Sequence, residues 1–166
     1  MISKFEAVKK KVVAKEQLLA EIKTWKTNNY KVVFTNGVFD LLHPGHVRFL
    51  QSAAGEGDLL IVGINSDTSA NSIKGVTRPV VTESERAEVL LALDCVDAVI
   101  IFNEIKPNLI IREIVPDVLV KGADWSADQI VGRDTVESAG GRVVRVSVET
   151  GYSTTALIER IKRVAR

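Results

Sequence analysis

In FTNGVFDLLHPGHVRFL, residues 34–50, two histidines stand three positions apart around Pro44 and Gly45, where an apolar run gives way to a helical pattern. Proline is tolerated at the first position of a helix, because its missing N–H has no intrahelical partner there. That placement makes His43 the N-cap and puts His46 in the first turn, so both imidazoles border a helix mouth. The free N–H groups and the helix dipole favour an anion, and Gly45 lets a ligand approach the backbone. The preceding TNGVFD, residues 35–40, adds small and polar groups at the carboxyl end of a strand, where open α/β sheets bind ligands. A phosphate site is predicted.

The elements that must hold this site are legible in the hydrophobic pattern. KVVFT, DLLIVGIN, AVIIF, DVLVK and RVVRVSV are short, β-branched and nearly continuous apolar runs, the pattern of strands buried on both faces. Helical periodicities separate them: Val47, Leu50 and Ala54; Ala87, Leu90, Leu91 and Leu93; Leu109, Ile110 and Ile114; and a weaker one around residues 133–139. This alternation predicts an α/β fold, a Rossmann-like doubly wound five-stranded parallel sheet with flanking helices. A helix before the first strand carries Leu18, Leu19, Ile22 and Trp25, and a last helix from about Ser153 carries Ala156, Leu157, Ile158 and Ile161. Both are expected to pack on the sheet. Thr82 and Glu85 form a capping box, and Ser153 can cap the last helix, although that helix start could hold phosphate instead.

Composition narrows the partners. A chain of 166 residues, 46% hydrophobic, has length for one core. Residues 1–29 read as a helical extension packed on that core and 30–166 as the principal domain. A net charge of +1 gives no general pull toward nucleic acid or a membrane surface, and the lysines at 9–11 read as a solvated lead-in. The single cysteine, Cys95 in LLALDCV, is expected to be buried in a reducing compartment. No apolar stretch approaches the roughly 20 residues of a membrane span, and MISKFEAVKKK lacks the apolar centre of a signal peptide. A cytoplasmic location is expected, with no structural metal cluster.

TNGVFDLLHPGH resembles the first signature of the nucleotidyltransferase superfamily, whose HxGH motif binds nucleotide triphosphate, and GYSTT at 151–155 resembles its second. Between them INSD at 64–67, IKG at 73–75, RPV at 78–80, Arg86 and VKGADW at 120–125 resemble the heptose 1-phosphate adenylyltransferase branch. The resemblance covers about residues 30–162. It implies transfer of AMP from ATP to D-glycero-beta-D-manno-heptose 1-phosphate, giving ADP-heptose for lipopolysaccharide core or surface glycans, and pyrophosphate. In many bacteria such a module is fused behind a sugar kinase. Here the resemblance is to the stand-alone form, which implies a separate heptose kinase, and family members commonly form homodimers. Mg²⁺ is expected to arrive with ATP.

The resemblance also implies roles for particular residues. His43 and His46 would contact the triphosphate and stabilise charge on the α-phosphate and leaving group. Thr35, Asn36, Gly37, Phe39 and Gly45 line the same loop; Asp40 could orient a histidine or a metal-bound water, or simply bond the loop. Ser153, Thr154 and Thr155 would meet the β- and γ-phosphates. Gly122, Ala123 and Asp124 resemble a base-reading loop, with Lys121 adding charge. Lys74, Arg78 and Arg86 are candidates for gripping phosphates, since an arginine fork matches phosphate oxygens bidentately. Asn65 and Asp67 could bind sugar hydroxyls. Trp125 follows the base loop and either covers the nucleotide or packs.

Competing classes lack their signatures. A dinucleotide-binding oxidoreductase needs GxGxxG after the first strand and a P-loop NTPase needs GxxxxGK[ST]; TNGVFD supplies neither. Within the superfamily, glycerol-3-phosphate cytidylyltransferases and FAD-forming adenylyltransferases are the alternatives. A nucleotide-binding sensor without turnover is the non-enzyme alternative, and the presence of both histidines and the basic residues argues against it.

Overall fold

The computed structural model describes residues 14–147 and 151–165. In chain order the elements are α1 (Lys15–Thr27), β1 (Val32–Gly37), α2 (Pro44–Ala54), β2 (Leu59–Asn65), α3 (Asp67–Lys74) and α4 (Glu83–Leu91). They continue with β3 (Ala98–Phe102), α5 (Asn108–Ile114), β4 (Val118–Gly122), a 3₁₀ turn (Ala127–Gln129), α6 (Arg133–Ser138), β5 (Arg142–Val146) and α7 (Thr154–Val164). The five strands form one parallel sheet in the order β3-β2-β1-β4-β5, with Phe34 of β1 facing Ile61 and Leu119 in the ladder.

Alternation along β1 divides the core. Val32 and Phe34 join Leu18 and Ile22 of α1 and Ile110, Ile111 and Ile114 of α5 in one cluster. Val33 belongs to the other, with Leu50 and Ala53 of α2 and Ala87, Leu90 and Leu91 of α4. Successive side chains of a strand point to opposite faces, so this division is what covering both faces of a sheet requires. The doubly wound parallel fold expected from the sequence is the one found. At Gly63 a Cβ would lie 2.7 Å from Phe34 Cζ, so β2 needs glycine there to admit the aromatic ring of β1.

The capping residues behave as their chemistry predicts. Thr82 N donates to Glu85 Oε2 at 3.0 Å while Glu85 N donates to Thr82 Oγ1 at 3.4 Å. Helix α1 packs on the core through Leu18 and Ile22, as expected; its lysine-rich lead-in lies outside the described residues.

Three expectations are corrected. Helix α7 does not settle on the sheet: none of its residues is buried and Ile161 is 52% exposed, while its N-terminal end meets the loop before α2 through Thr154. Strand β5 is an edge, so Arg142 and Arg145 of RVVRV face solvent instead of a second layer. Cys95 is only partly buried, packed at the margin of the second core cluster, and that desolvation pushes its thiol pKa up. Helix α3 was not visible in the hydrophobic pattern. Its sequence DTSANSIK buries only Ser69 and Ala70, so local capping by Ser66, not an apolar stripe, announces it.

Candidate active site

Helix α2 opens at the carboxyl edge of the sheet with Pro44 at its first position and His43 as an extended N-cap. His43 Nδ1 accepts from the His46 backbone N–H at 3.3 Å, so the ring proton of the neutral imidazole is on Nε2. The two rings stack with centroids 3.7 Å apart. Burial lowers the His43 pKa, and burial together with the neighbouring His43 ring lowers that of His46 to about 4. The Leu41 carbonyl works the other way, but His46 Nδ1 is buried with no hydrogen-bond partner among the described residues. Gly45 has a further reason to lack a side chain. A Cβ there would lie 3.0 Å from Tyr152 Cβ and 3.1 Å from His43 Nδ1, so the glycine seats the His43 ring as well as opening the backbone.

The loop between β1 and α2 is held from below. Phe39 adopts φ 47°, a left-handed conformation uncommon for an aromatic residue, and its ring packs 5.2 Å from that of His46. Asp40, 4% exposed, accepts Val80 N and Val81 N at 2.8 and 3.0 Å through Oδ1 and pairs with Arg78 through Oδ2. It therefore bonds the loop, the second of its two expected roles. Arg86 is 1% exposed. Its guanidinium donates to the carbonyls of Val38 at 2.6 Å, Asn65 at 2.9 Å and Val81 at 3.0 Å, and to Asp67 Oδ1 at 2.8 Å.

These contacts revise several residue roles. With four of its five N–H donors given to protein acceptors, Arg86 ties together the ends of β1, β2 and the segment before α4; no open fork is left to grip phosphate. Asn65 Nδ2 donates to Ser69 Oγ and the Glu104 carbonyl, and Asp67 Oδ1 accepts from Arg86, so the amide nitrogen of one and a carboxylate oxygen of the other are taken up by protein partners. Thr35 is fully buried and donates to the Val120 carbonyl at 3.0 Å, stitching β1 to β4 instead of lining the loop's open side.

A cleft of about 460 Å³ runs across this edge. From the first loop it brings together Asn36, Gly37, Phe39, Asp40, His43, Gly45 and His46; from elsewhere Lys74 and Arg78, Gly122 and Asp124, and Ser153, Thr154 and Thr155. Thr35, Asn65, Asp67, Arg86, Lys121 and Ala123 stand outside its lining. Ala123 is held by its backbone, donating to the Val146 carbonyl at 2.8 Å. Trp125, 50% exposed, forms part of the wall. Ser153 Oγ caps α7 by accepting from Ala156 N at 3.0 Å, and Thr154 Oγ1 reaches the Leu41 carbonyl at 3.5 Å. Tyr152, which sequence reasoning passed over, faces His43 with ring planes 19° apart, and the Arg48 guanidinium carbon lies over the Tyr152 ring, 5.6 Å from its centroid. An aromatic inside GYSTT, at the junction of the two signatures, was the available signal.

The histidine pair at the mouth of α2 faces the start of α7 across the carboxyl edge of a parallel sheet, which defines an α/β domain with its cleft at that edge. A family model described as cytidylyltransferase-like matches residues 34–160, and the chain belongs to that family. It is 52% identical over 147 residues to the bifunctional protein HldE of Geotalea uraniireducens, covering 89% of this chain and 30% of that one. With HldE of Bradyrhizobium diazoefficiens it shares 48% over 161 residues, 96% of this chain and 33% of the relative. The chain thus spans about a third of the length of these relatives. A crystal structure of a lipopolysaccharide core biosynthesis protein from Thermoplasma volcanium aligns with TM-score 0.63 and 28% identity, over 72% of this chain and 98% of that one. Among the described residues no helix is long and apolar enough to cross a membrane.

Proposed function

We propose that this chain is an adenylyltransferase that transfers AMP from ATP to D-glycero-beta-D-manno-heptose 1-phosphate, releasing pyrophosphate. The observation that carries the reading is the stacked His43–His46 pair opposite Ser153, Thr154 and Thr155 across one cleft. The kinship with HldE over most of the chain supports the heptose branch over the cytidylyltransferases.

In this proposal a sugar-phosphate oxygen attacks the α-phosphorus. The new P–O bond forms as the α–β bridging bond breaks, and pyrophosphate leaves with the electron pair. The nucleophile is already anionic, so the protein's work is positioning and charge stabilisation. His43 supplies an Nε2–H donor, since its Nδ1 is occupied. Lys74 and Arg78 supply charge at the opposite wall, and Gly122 and Asp124 border the base. Among the described residues no group of three His, Cys, Asp or Glu is arranged to hold a metal. Mg²⁺ would arrive on the triphosphate with most of its waters retained and would supply charge neutralisation there. Residues 30–166 form the catalytic unit of the proposal, acting as a homodimer in the cytoplasm on a sugar phosphate made by a kinase.

The test is pyrophosphate release from ATP, CTP, GTP and UTP, each paired with heptose 1-phosphate and with glycerol 3-phosphate. Turnover is expected to be highest for ATP with the heptose. Preference for CTP with glycerol 3-phosphate would move the assignment to the cytidylyltransferase branch, and nucleotide binding without release would favour a sensor.

A further inference from the structure

Lys121, the penultimate residue of β4, lies beside Asn36 near the end of β1, and its ammonium donates to Asn36 Oδ1. Lys121 is 9% exposed and stands behind the cleft, whereas Asn36 lines it. An ammonium has donors and no acceptor, so it decides which end of the amide turns toward it: the oxygen. The other end, Nδ2, has no acceptor among the described residues. We propose that Lys121 is a positioning residue that locks the Asn36 amide so that Nδ2–H donates to a phosphate oxygen of the bound nucleotide. This inference rests on the nucleotidyltransferase reading above.

Two further observations support it. No carboxylate pairs with Lys121 among the described residues, so a buried cation is kept without a protein counter-charge, a costly arrangement unless an anion completes it. Burial lowers its pKa to about 8, which leaves it mostly protonated at neutral pH. A purely structural tie is already present one step away, where Thr35 Oγ1 donates to the Val120 carbonyl at 3.0 Å. The Lys121–Asn36 contact adds what that tie lacks, a charge directed through an amide into the cleft.

A double-mutant cycle tests the coupling, with kcat, KM for ATP and ATP affinity by calorimetry measured for Lys121→Met, Asn36→Ala and the pair. Each single change is expected to lower kcat/KM for ATP by about tenfold or more, the value of a hydrogen bond to a charged group. KM for the sugar phosphate should stay near that of the wild type. If Lys121 acts through Asn36, the double variant is no worse than Asn36→Ala alone. Losses that multiply would overturn the proposal, as would a Lys121→Met enzyme of undiminished kcat/KM. Should Lys121→Met not fold, Lys121→Gln takes its place under the same criterion. A wild-type protein that binds no ATP would overturn both this inference and the function beneath it, whereas multiplying losses in an active enzyme would remove the inference alone.

Discussion

The imidazoles of His43 and His46 stack 18° from parallel with ring centroids 3.7 Å apart, and the His43 ring also caps the helix that carries both. Two charged rings at that distance repel, and both pKa values are lowered, that of His43 by burial and that of His46 by burial and then by His43. The resting pair is neutral near pH 7, and a triphosphate beside it favours protonation. ATP binding should therefore take up protons at about pH 6.5, the unperturbed value of histidine. Calorimetric titrations in buffers of differing ionisation enthalpy measure this directly. Buffer-independent heats would contradict it.

The same residue predicts an acid sensitivity of the fold. Burial and the neighbouring His43 ring hold the His46 pKa at about 4, below the ordinary histidine value of 6.5. Between those values the unfolded chain binds more protons than the native one, so stability rises with pH and falls on acidification from 6.5 toward 4. Below the folded value the contribution ceases. Urea unfolding at about pH 7, 5.5 and 4.5 should give a steeper decline for wild type than for His46→Gln across that window. Parallel slopes would show that other groups control the loss.

Much of this architecture was legible because it depends on local patterns. Apolar runs located all five strands, and Pro44 after a histidine located the start of α2 together with its cap. Arg86 was misread for a physical reason. A sequence shows five donors on a guanidinium but not the carbonyls of Val38 and Asn65, which approach from 48 and 21 positions away. Asn36 and Lys121 are likewise 85 positions apart, and only the β1–β4 adjacency joins them. Helix α7 was misplaced because an amphipathic stripe says that an apolar face exists, not what covers it.

Arg86 and Lys74 separate a structural cation from a cleft cation. Arg86→Met strands three carbonyls beneath the site and should cost about 3 kcal/mol, in line with hydrogen bonds to charged groups. That corresponds to a fall in Tm of roughly 6–12 °C for a domain of this size. Lys74 is exposed at the cleft, and Lys74→Ala should leave Tm within about 1–2 °C, as surface substitutions do, while weakening phosphate-dependent binding. Thermal unfolding beside steady-state kinetics distinguishes the two. Equal Tm losses would refute the division.

Gly45→Ala sets helix propensity against ring placement. Alanine favours the helical backbone of α2 by up to about 1 kcal/mol. Its Cβ, however, meets Tyr152 Cβ at 3.0 Å and the His43 ring at 3.1 and 3.2 Å. Stability should change by no more than about 1 kcal/mol in either direction. Turnover should fall, because His43 must rotate or retreat to make room. An alanine variant with wild-type kcat would show that the position of the His43 ring is unimportant.

Thr155 offers the cleanest probe of the terminal-phosphate subsite. Ser153 Oγ is engaged in capping α7 and Thr154 Oγ1 reaches the Leu41 carbonyl, whereas Thr155 is exposed at the cleft and its hydroxyl has no protein hydrogen-bond partner among the described residues. Valine preserves its branched shape and removes only the hydroxyl. Thr155→Val should leave Tm unchanged and weaken ATP and pyrophosphate by roughly tenfold or more, the value of a hydrogen bond to a charged group. AMP has no β- or γ-phosphate to lose the contact, so its affinity should hold. Thr154→Val should also disturb the 41–43 loop, and with it AMP. Calorimetry with all three ligands reads the pattern. Equal weakening of ATP and AMP by Thr155→Val would place the terminal phosphates elsewhere and leave GYSTT as the start of a helix.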